Sequence, residues 1–163
     1  MNRKTLVLAC AGTLLPIGLV VAADEHMHEH KHANAGLGAS SEVRHLVRFP
    51  APLLLQELAH MREHLAILGQ LQVALSKGSY SEAANLAEQN LGMSSLPMHG
   101  AEEVAKYMPQ GMREMGTALH RAASRFALEA SNAGATGDVR PVIAALSEVT
   151  RQCVACHAAY RLK

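Results

Sequence analysis

The pentapeptide Cys153-Val154-Ala155-Cys156-His157 constrains this 163-residue chain most, and only six residues follow it. C-x-x-C-H is the pattern to which a c-type haem is attached: each cysteine sulfur bonds to the porphyrin, and the histidine binds the iron. At about 100° per residue in a helix, these three side chains can reach one flat ligand. The motif therefore predicts one covalent haem c, with Cys153 and Cys156 as thioether sites and His157 as an iron ligand.

Two other uses of a C-x-x-C pair fit this chain poorly. A redox-active dithiol normally opens a helix after a strand, and no strand-like alternation precedes Cys153. A zinc site would need further ligands, and the chain has no second cysteine pair. Haem attachment is the use that remains, and the histidine directly after Cys156 favours it.

Composition and hydrophobic spacing predict helices. Aromatic residues make up only 3% of the chain, which argues against a β-sandwich or barrel. Helices are predicted over 53–77 and from a Ser79–Glu82 capping box to about Leu91. A short helical piece through Met108 follows, and Pro109 begins a third long helix, which breaks at 132–134 and 137–138 separate from the last one. The last helix has Asp138 as N-cap and Pro141 in its first turn, and it carries the haem motif.

Two amphipathic faces are expected to point inward. The first and third long helices repeat apolar side chains every three or four residues, so the fold class is expected to be all-α, an antiparallel four-helix bundle with the haem near the C-terminus of its last helix. Gly111 and Gly116 either allow close approach of a neighbouring helix or of the porphyrin, or are irregularities that the helix tolerates. The inward residues are Leu54, Leu58, Met61, Leu65, Leu68, Leu71 and Leu75 in the first helix and Met112, Met115, Leu119, Ala123, Phe126 and Ala130 in the third.

Three segments are predicted: a signal peptide over 1–23, a histidine-rich flexible arm and linker over 24–50, and a helical haem domain over 51–163. Arg3 and Lys4 precede an apolar run that ends in small residues, a pattern typical of a cleaved secretory signal. Cleavage would leave no membrane anchor. His26, His28, His30 and His32 could bind Cu(II), or could simply belong to a solvated tail.

The formal net charge of +1 gives no indication of nucleic-acid binding.

Together, the signal, the four helices and the terminal C-V-A-C-H-A-A-Y-R-L-K resemble the class II cytochromes c, the group of the cytochromes c-prime and their six-coordinate relatives. The resemblance covers residues 53–163. It implies periplasmic electron transfer, with His157 as proximal ligand and Met61 matching the distal methionine. It also implies that Arg161 lies beside the imidazole or pairs with a haem propionate, or else is simply solvated, and that Tyr160 packs at the haem edge.

The sixth ligand must come from upstream of the motif, because six residues cannot loop around the haem. Eligible methionines are Met61, Met112 and Met115, and His60 and His64 are rivals expected to flank the pocket or face solvent. Met61 is the expected ligand of an electron carrier, since a thioether favours ferrous iron.

Three functions are considered. The first is a non-enzymatic carrier of single electrons that serves periplasmic redox partners and could form a homodimer through its outer helix faces. The second is a five-coordinate protein that binds nitric oxide or carbon monoxide. The third is a metal-handling protein that uses the histidine-rich arm.

Overall fold

The computed structural model describes residues 42–163, which are mostly helical with little strand, so the predicted all-α class is confirmed. The signal peptide, the histidine-rich arm with His26, His28, His30 and His32, and the linker up to residue 41 lie outside the described residues. The helices are α1 (Ala51–Ser76), α2 (Tyr80–Asn90), α3 (Ala101–Ala105), α4 (Gln110–Thr136) and α5 (Arg140–Ala159), with a 3₁₀ turn at Met93–Ser95 and the strands β1 (His45–Val47) and β2 (Tyr160–Leu162).

Glycines in the left-handed region end the two longest helices. Gly78 has φ 68° after α1 and Gly137 has φ 75° after α4, a backbone conformation that costs glycine little. Two breaks are predicted between this helix and the next. The break over residues 132–134 is wrong, because α4 continues to Thr136, whereas the break at Gly137-Asp138 is confirmed, with Gly137 in the left-handed conformation. The N-cap of α5 is Val139 and not the predicted Asp138, although Asp138 lies directly before it and its Oδ1 accepts a hydrogen bond of 3.1 Å from the Arg140 backbone N–H.

The predicted capping box at the start of α2 is wrong. The Ser79 side chain makes no capping hydrogen bond, although α2 begins at Tyr80 as expected. In a capping box, Glu82 would accept a hydrogen bond from the Ser79 backbone N–H. That N–H already donates to Ala74 O at 2.9 Å and closes the end of α1. The tight turn between the two helices thus uses the donor that the box requires.

The main core lies where α1 packs against α2, α2 against α4, and α4 against α5. Phe126, Leu71, Val142 and Val149 are buried at its centre. Alanines fill most of the remaining interior positions and let the helix backbones approach closely. They include Ala83, Ala87, Ala122, Ala123 and Ala130.

A second, smaller core joins the two ends of the described chain. Strand β1 pairs in parallel with β2, with Leu46 opposite Arg161, and the Phe49 N–H donates to Lys163 O at 3.1 Å. Val47 and Phe49 are buried there against Met112 and Tyr160. Residues 45–49 therefore form a strand and a buried contact, where the sequence predicts a linker. Because the partner residues lie at the opposite end of the chain, no local sequence pattern could have indicated this strand.

None of the helices in residues 42–163 combines the length and the apolar character needed to cross a membrane.

Candidate functional site

The three residues of the C-x-x-C-H motif lie near the end of α5. Cys153 and Cys156 are free, half-buried thiols, and His157 is exposed. Burial raises the pKa of both thiols, and the neighbouring Cys153 adds a smaller increase to the pKa of Cys156. Cys153 packs on the main core and Cys156 on the second core. The motif therefore lies where the two cores meet.

A cavity of about 710 Å³ opens between α1, α3, α4 and α5, and we call it the interhelix cavity. Its volume lies within the range of about 300–1,000 Å³ typical of ligand and cofactor sites. Apolar side chains provide most of its wall. Its lining includes Cys153, Cys156 and His157 from α5, Met61, Leu65 and Leu68 from α1, Val104 from α3, and Met112, Met115, Gly116 and Leu119 from α4.

The structure brings Met61 into the same cavity as the C-x-x-C-H residues. Met61 is half-buried on α1, across the cavity from α5. Its rivals Met112 and Met115 also line this cavity, and so does Met108, which the sequence did not single out. Four methionines thus reach the cavity wall.

The middle of the predicted apolar stripe of α1 is not covered by other residues of the described chain. Leu68 and Leu71 are buried as expected, but Leu65 is 70% exposed and Leu58 is 40% exposed. Leu65 lines the interhelix cavity, where no other side chain of residues 42–163 covers it. The inward face predicted for the helix now seen as α4 is confirmed, with Met112, Ala123, Phe126 and Ala130 buried and Met115 and Leu119 half-buried. The cavity therefore replaces packed core beside this part of α1.

The two glycines of α4 differ in their surroundings. A Cβ on Gly111 would lie 2.7 Å from Tyr160 Oη, so this glycine allows the ring of β2 to approach. A Cβ on Gly116 would meet no described atom within 4 Å, and Gly116 lines the interhelix cavity. Tyr160 itself packs in the second core, with its ring 5.8 Å from that of His45.

Arg161 does not line the interhelix cavity. It lies in β2 with its Nε 3.8 Å from Glu42 Oε2. Hydrogen bonds from the Arg44 side chain hold the pKa of Glu42 at about 2, and Arg161 contributes a smaller effect. The structure thus pairs Arg161 with an acidic residue of its own chain, and contact with a haem stays a prediction.

Four histidines that are far apart in sequence come together at the cavity wall, and we call His60, His64, His99 and His120 the histidine cluster. The His99 ring centroid lies 4.8 Å from that of His60 and 5.6 Å from that of His64, and the His64 and His120 centroids are 6.3 Å apart. The spacing of His60 and His64 indicates one helix face. No local signal links them to His99 and His120.

Burial keeps most of this cluster neutral. Desolvation, followed by the charges of the other histidines, lowers the pKa of His64 to about 4. Desolvation also lowers the pKa of His99 and of His120. Desolvation raises the pKa of the adjacent Glu57 carboxyl, whose Oε1 lies 3.4 Å from His60 Nδ1. With the rings as they stand, no three His, Cys, Asp or Glu side chains in residues 42–163 are placed to hold a metal ion.

We expect the free energy of unfolding to fall as the pH decreases from about 6.5 to about 4. Over this window an unfolded His64 takes up a proton, whereas the folded one does so only near pH 4. The unfolded state then binds more protons, which lowers stability by up to about 3 kcal/mol for this residue. Urea denaturation at pH 7 and at pH 4.5 measures the loss.

His64→Gln should show a smaller loss of stability between these two pH values, because glutamine does not titrate. His45→Gln is the matched control, since His45 is exposed and lies outside the histidine cluster. Equal losses in the wild type and in His64→Gln would contradict the assignment.

Comparisons of the chain with protein-family models, with curated proteins and with solved structures find no match.

Proposed function

We propose that this chain is a periplasmic c-type cytochrome, related to the class II cytochromes c, that carries single electrons through one covalent haem. Cys153 and Cys156 form the thioethers, His157 is the proximal ligand and Met61 is the distal ligand. The main support for the proposal is that Met61 on α1 and the C-x-x-C-H motif on α5 line the same interhelix cavity.

The residues of the cavity fit such a group. The thiols of Cys153 and Cys156 are free, and Leu65 presents an uncovered apolar side chain to the space that a porphyrin would fill. A bound haem would supply the reversible exchange of one electron between ferric and ferrous iron. The protein's part is to hold the two axial side chains and to exclude water with apolar neighbours.

The helix order supports an antiparallel four-helix bundle of α1, α2, α4 and α5. The turns at Gly78 and Gly137 are short, as is typical of antiparallel neighbours. The helices α1 and α2 pack together, as do α4 and α5, and α2 joins the two pairs through α4. A haem between α1 and α5 would close the side of the bundle where the interhelix cavity opens.

The paired strands restrain the chain that follows the haem motif. Hydrogen bonds from β1 hold β2 directly after α5, and the Lys163 N–H donates to Val47 O at 2.9 Å. This pairing fixes the end of the helix that carries His157.

The presence of Met61 at the cavity wall favours electron transfer over the gas-binding alternative, which needs an empty distal position. The secretory signal predicted over residues 1–23 leads us to place the protein in the periplasm, with redox proteins there as its partners.

Acid-acetone extraction tests the proposed attachment. Thioether bonds should keep the pigment on the polypeptide, whereas a haem held only by ligation and packing is extracted. The double variant Cys153→Ala/Cys156→Ala, made with the same maturation machinery, should lose all covalent haem on a haem-stained denaturing gel.

Val154→Ala is the matched control and should keep its covalent haem, because Val154 is an exposed residue between the two cysteines. Extraction of the pigment from the wild type, or covalent haem in the double variant, would show that the proposed function is wrong.

A further inference from the structure

We propose that the histidine cluster is a second metal site, which takes a divalent transition-metal ion with a preference for imidazole nitrogen. It lines the same interhelix cavity as the proposed haem ligands but uses other side chains, His64 and His99 together with His60 or His120. The proposal does not depend on haem attachment, since none of these side chains belongs to the C-x-x-C-H motif.

The ring spacing suits imidazoles that share one ion. A zinc–nitrogen bond is about 2.0–2.1 Å long, so two imidazoles at a tetrahedral angle have ring centroids about 5 Å apart. The centroids of His60 and His99 are 4.8 Å apart, and those of His64 and His99 are 5.6 Å apart. His99 lies outside the helices, between the 3₁₀ turn and α3, so its ring can rotate without disturbing a helix. A shared ion requires such a rotation, because no three of these rings are placed around one point as they stand.

A buried nitrogen without a partner points to a ligand. His64 Nε2 is inaccessible to solvent and has no hydrogen-bond partner among residues 42–163. Such a group is costly to bury unpaired. Its neighbours are the rings of His99 and His120, so an ion within the cluster would satisfy it.

Two other members of the cluster already make the outer contacts typical of metal-bound histidines. His120 Nδ1 lies 2.8 Å from Leu91 O, and His60 Nδ1 lies 3.4 Å from the Glu57 carboxylate. A ligating histidine commonly donates its second ring nitrogen to such a carbonyl or carboxylate, which fixes the ring and leaves Nε2 for the metal. These contacts leave the Nε2 atoms of both rings available for an ion.

The choice of ion follows from the donor atoms. Neutral imidazoles suit Zn(II), Cu(II) and Ni(II), and they suit Mg²⁺ or Ca²⁺ poorly. The lowered pKa values of His64, His99 and His120 keep these rings in the neutral form that metals require. Zn(II) is the best probe, because it has no redox chemistry and leaves the oxidation state of a haem unchanged.

The experiment uses the full-length, haem-loaded protein in which His26, His28, His30 and His32 are replaced by alanine. These histidines then cannot contribute to the measured Zn(II) binding. Calorimetric titration with Zn(II), and metal analysis after dialysis, should find one equivalent per chain. In this background, His64→Ala and His99→Ala should each weaken Zn(II) binding at least 10-fold, the lower end of the effect of changing a supporting residue.

His45→Ala, made in the same background, is the matched control and should bind Zn(II) as tightly as the parent. If His64→Ala fails to fold, His99→Ala decides the question, because His99 is only half-buried and lies in a loop. Absence of a Zn(II) equivalent in the parent, or unchanged binding in His99→Ala, overturns the second site. The haem absorption spectrum of each sample tests the proposed function separately.

Discussion

Replacing Met61 by alanine is expected to change the iron from low-spin to high-spin in both oxidation states. The wild type should be low-spin because His157 and the Met61 thioether together fill both axial positions. Alanine cannot reach the iron, so the variant should be five-coordinate and open to added ligands. Absorption spectra of the oxidised and reduced protein report the spin state, and a carbon monoxide titration of the reduced protein reports the open position.

Met115→Ala is the matched control for this experiment. Met115 is half-buried and lines the same interhelix cavity as Met61, but it lies on α4. Its variant should stay low-spin and should not bind carbon monoxide. A wild-type ferrous protein that is already high-spin would refute Met61 ligation and support the gas-binding function. A low-spin Met61→Ala protein would assign the ligand to another side chain, with Met108, Met112, Met115 and His64 as candidates.

Features set by short-range spacing could be predicted from the sequence. The helix that carries Cys153, Cys156 and His157 follows from apolar spacing and from the Asp138 and Pro141 signals, and both are local. The buried face of α4 around Phe126 follows from the same periodicity. The stripe of α1 could also be predicted, but the exposure of Leu65 could not, because it depends on the distance between helices rather than on any property of α1.

Features that join distant parts of the chain could not be predicted. Three-residue strands are too short to show alternation, so nothing near His45 indicates pairing with β2. His99 and His120 reach His64 only because the loop before α3 and the middle of α4 meet the same face of α1. Arg161 forms an ion pair with Glu42, which lies more than a hundred residues earlier in the sequence. In each case the tertiary fold, rather than local propensity, determines the contact.

Phe126→Ala is expected to lower the free energy of unfolding by about 3–5 kcal/mol, the range observed when a buried phenylalanine is truncated. Phe126 is 0% exposed and lies in the main core with Leu71 and Val142. Its neighbours are carried by rigid helices, so the space left by the ring can close only in part. Such a loss is a large share of the 5–15 kcal/mol that typically stabilises a domain. Denaturation in guanidinium chloride measures it.

Leu128→Ala, two residues further along α4, is the matched control because its side chain is 66% exposed. It should change the unfolding free energy by less than about 1 kcal/mol, since little apolar area is lost from the interior. Phe126 does not line the interhelix cavity, so a folded Phe126→Ala protein should keep the wild-type haem spectrum at low denaturant. If the two variants were equally stable, Phe126 would not be the centre of the core. A changed spectrum in folded Phe126→Ala would instead show that core packing also fixes the axial ligands, through the helices that carry Met61 and His157.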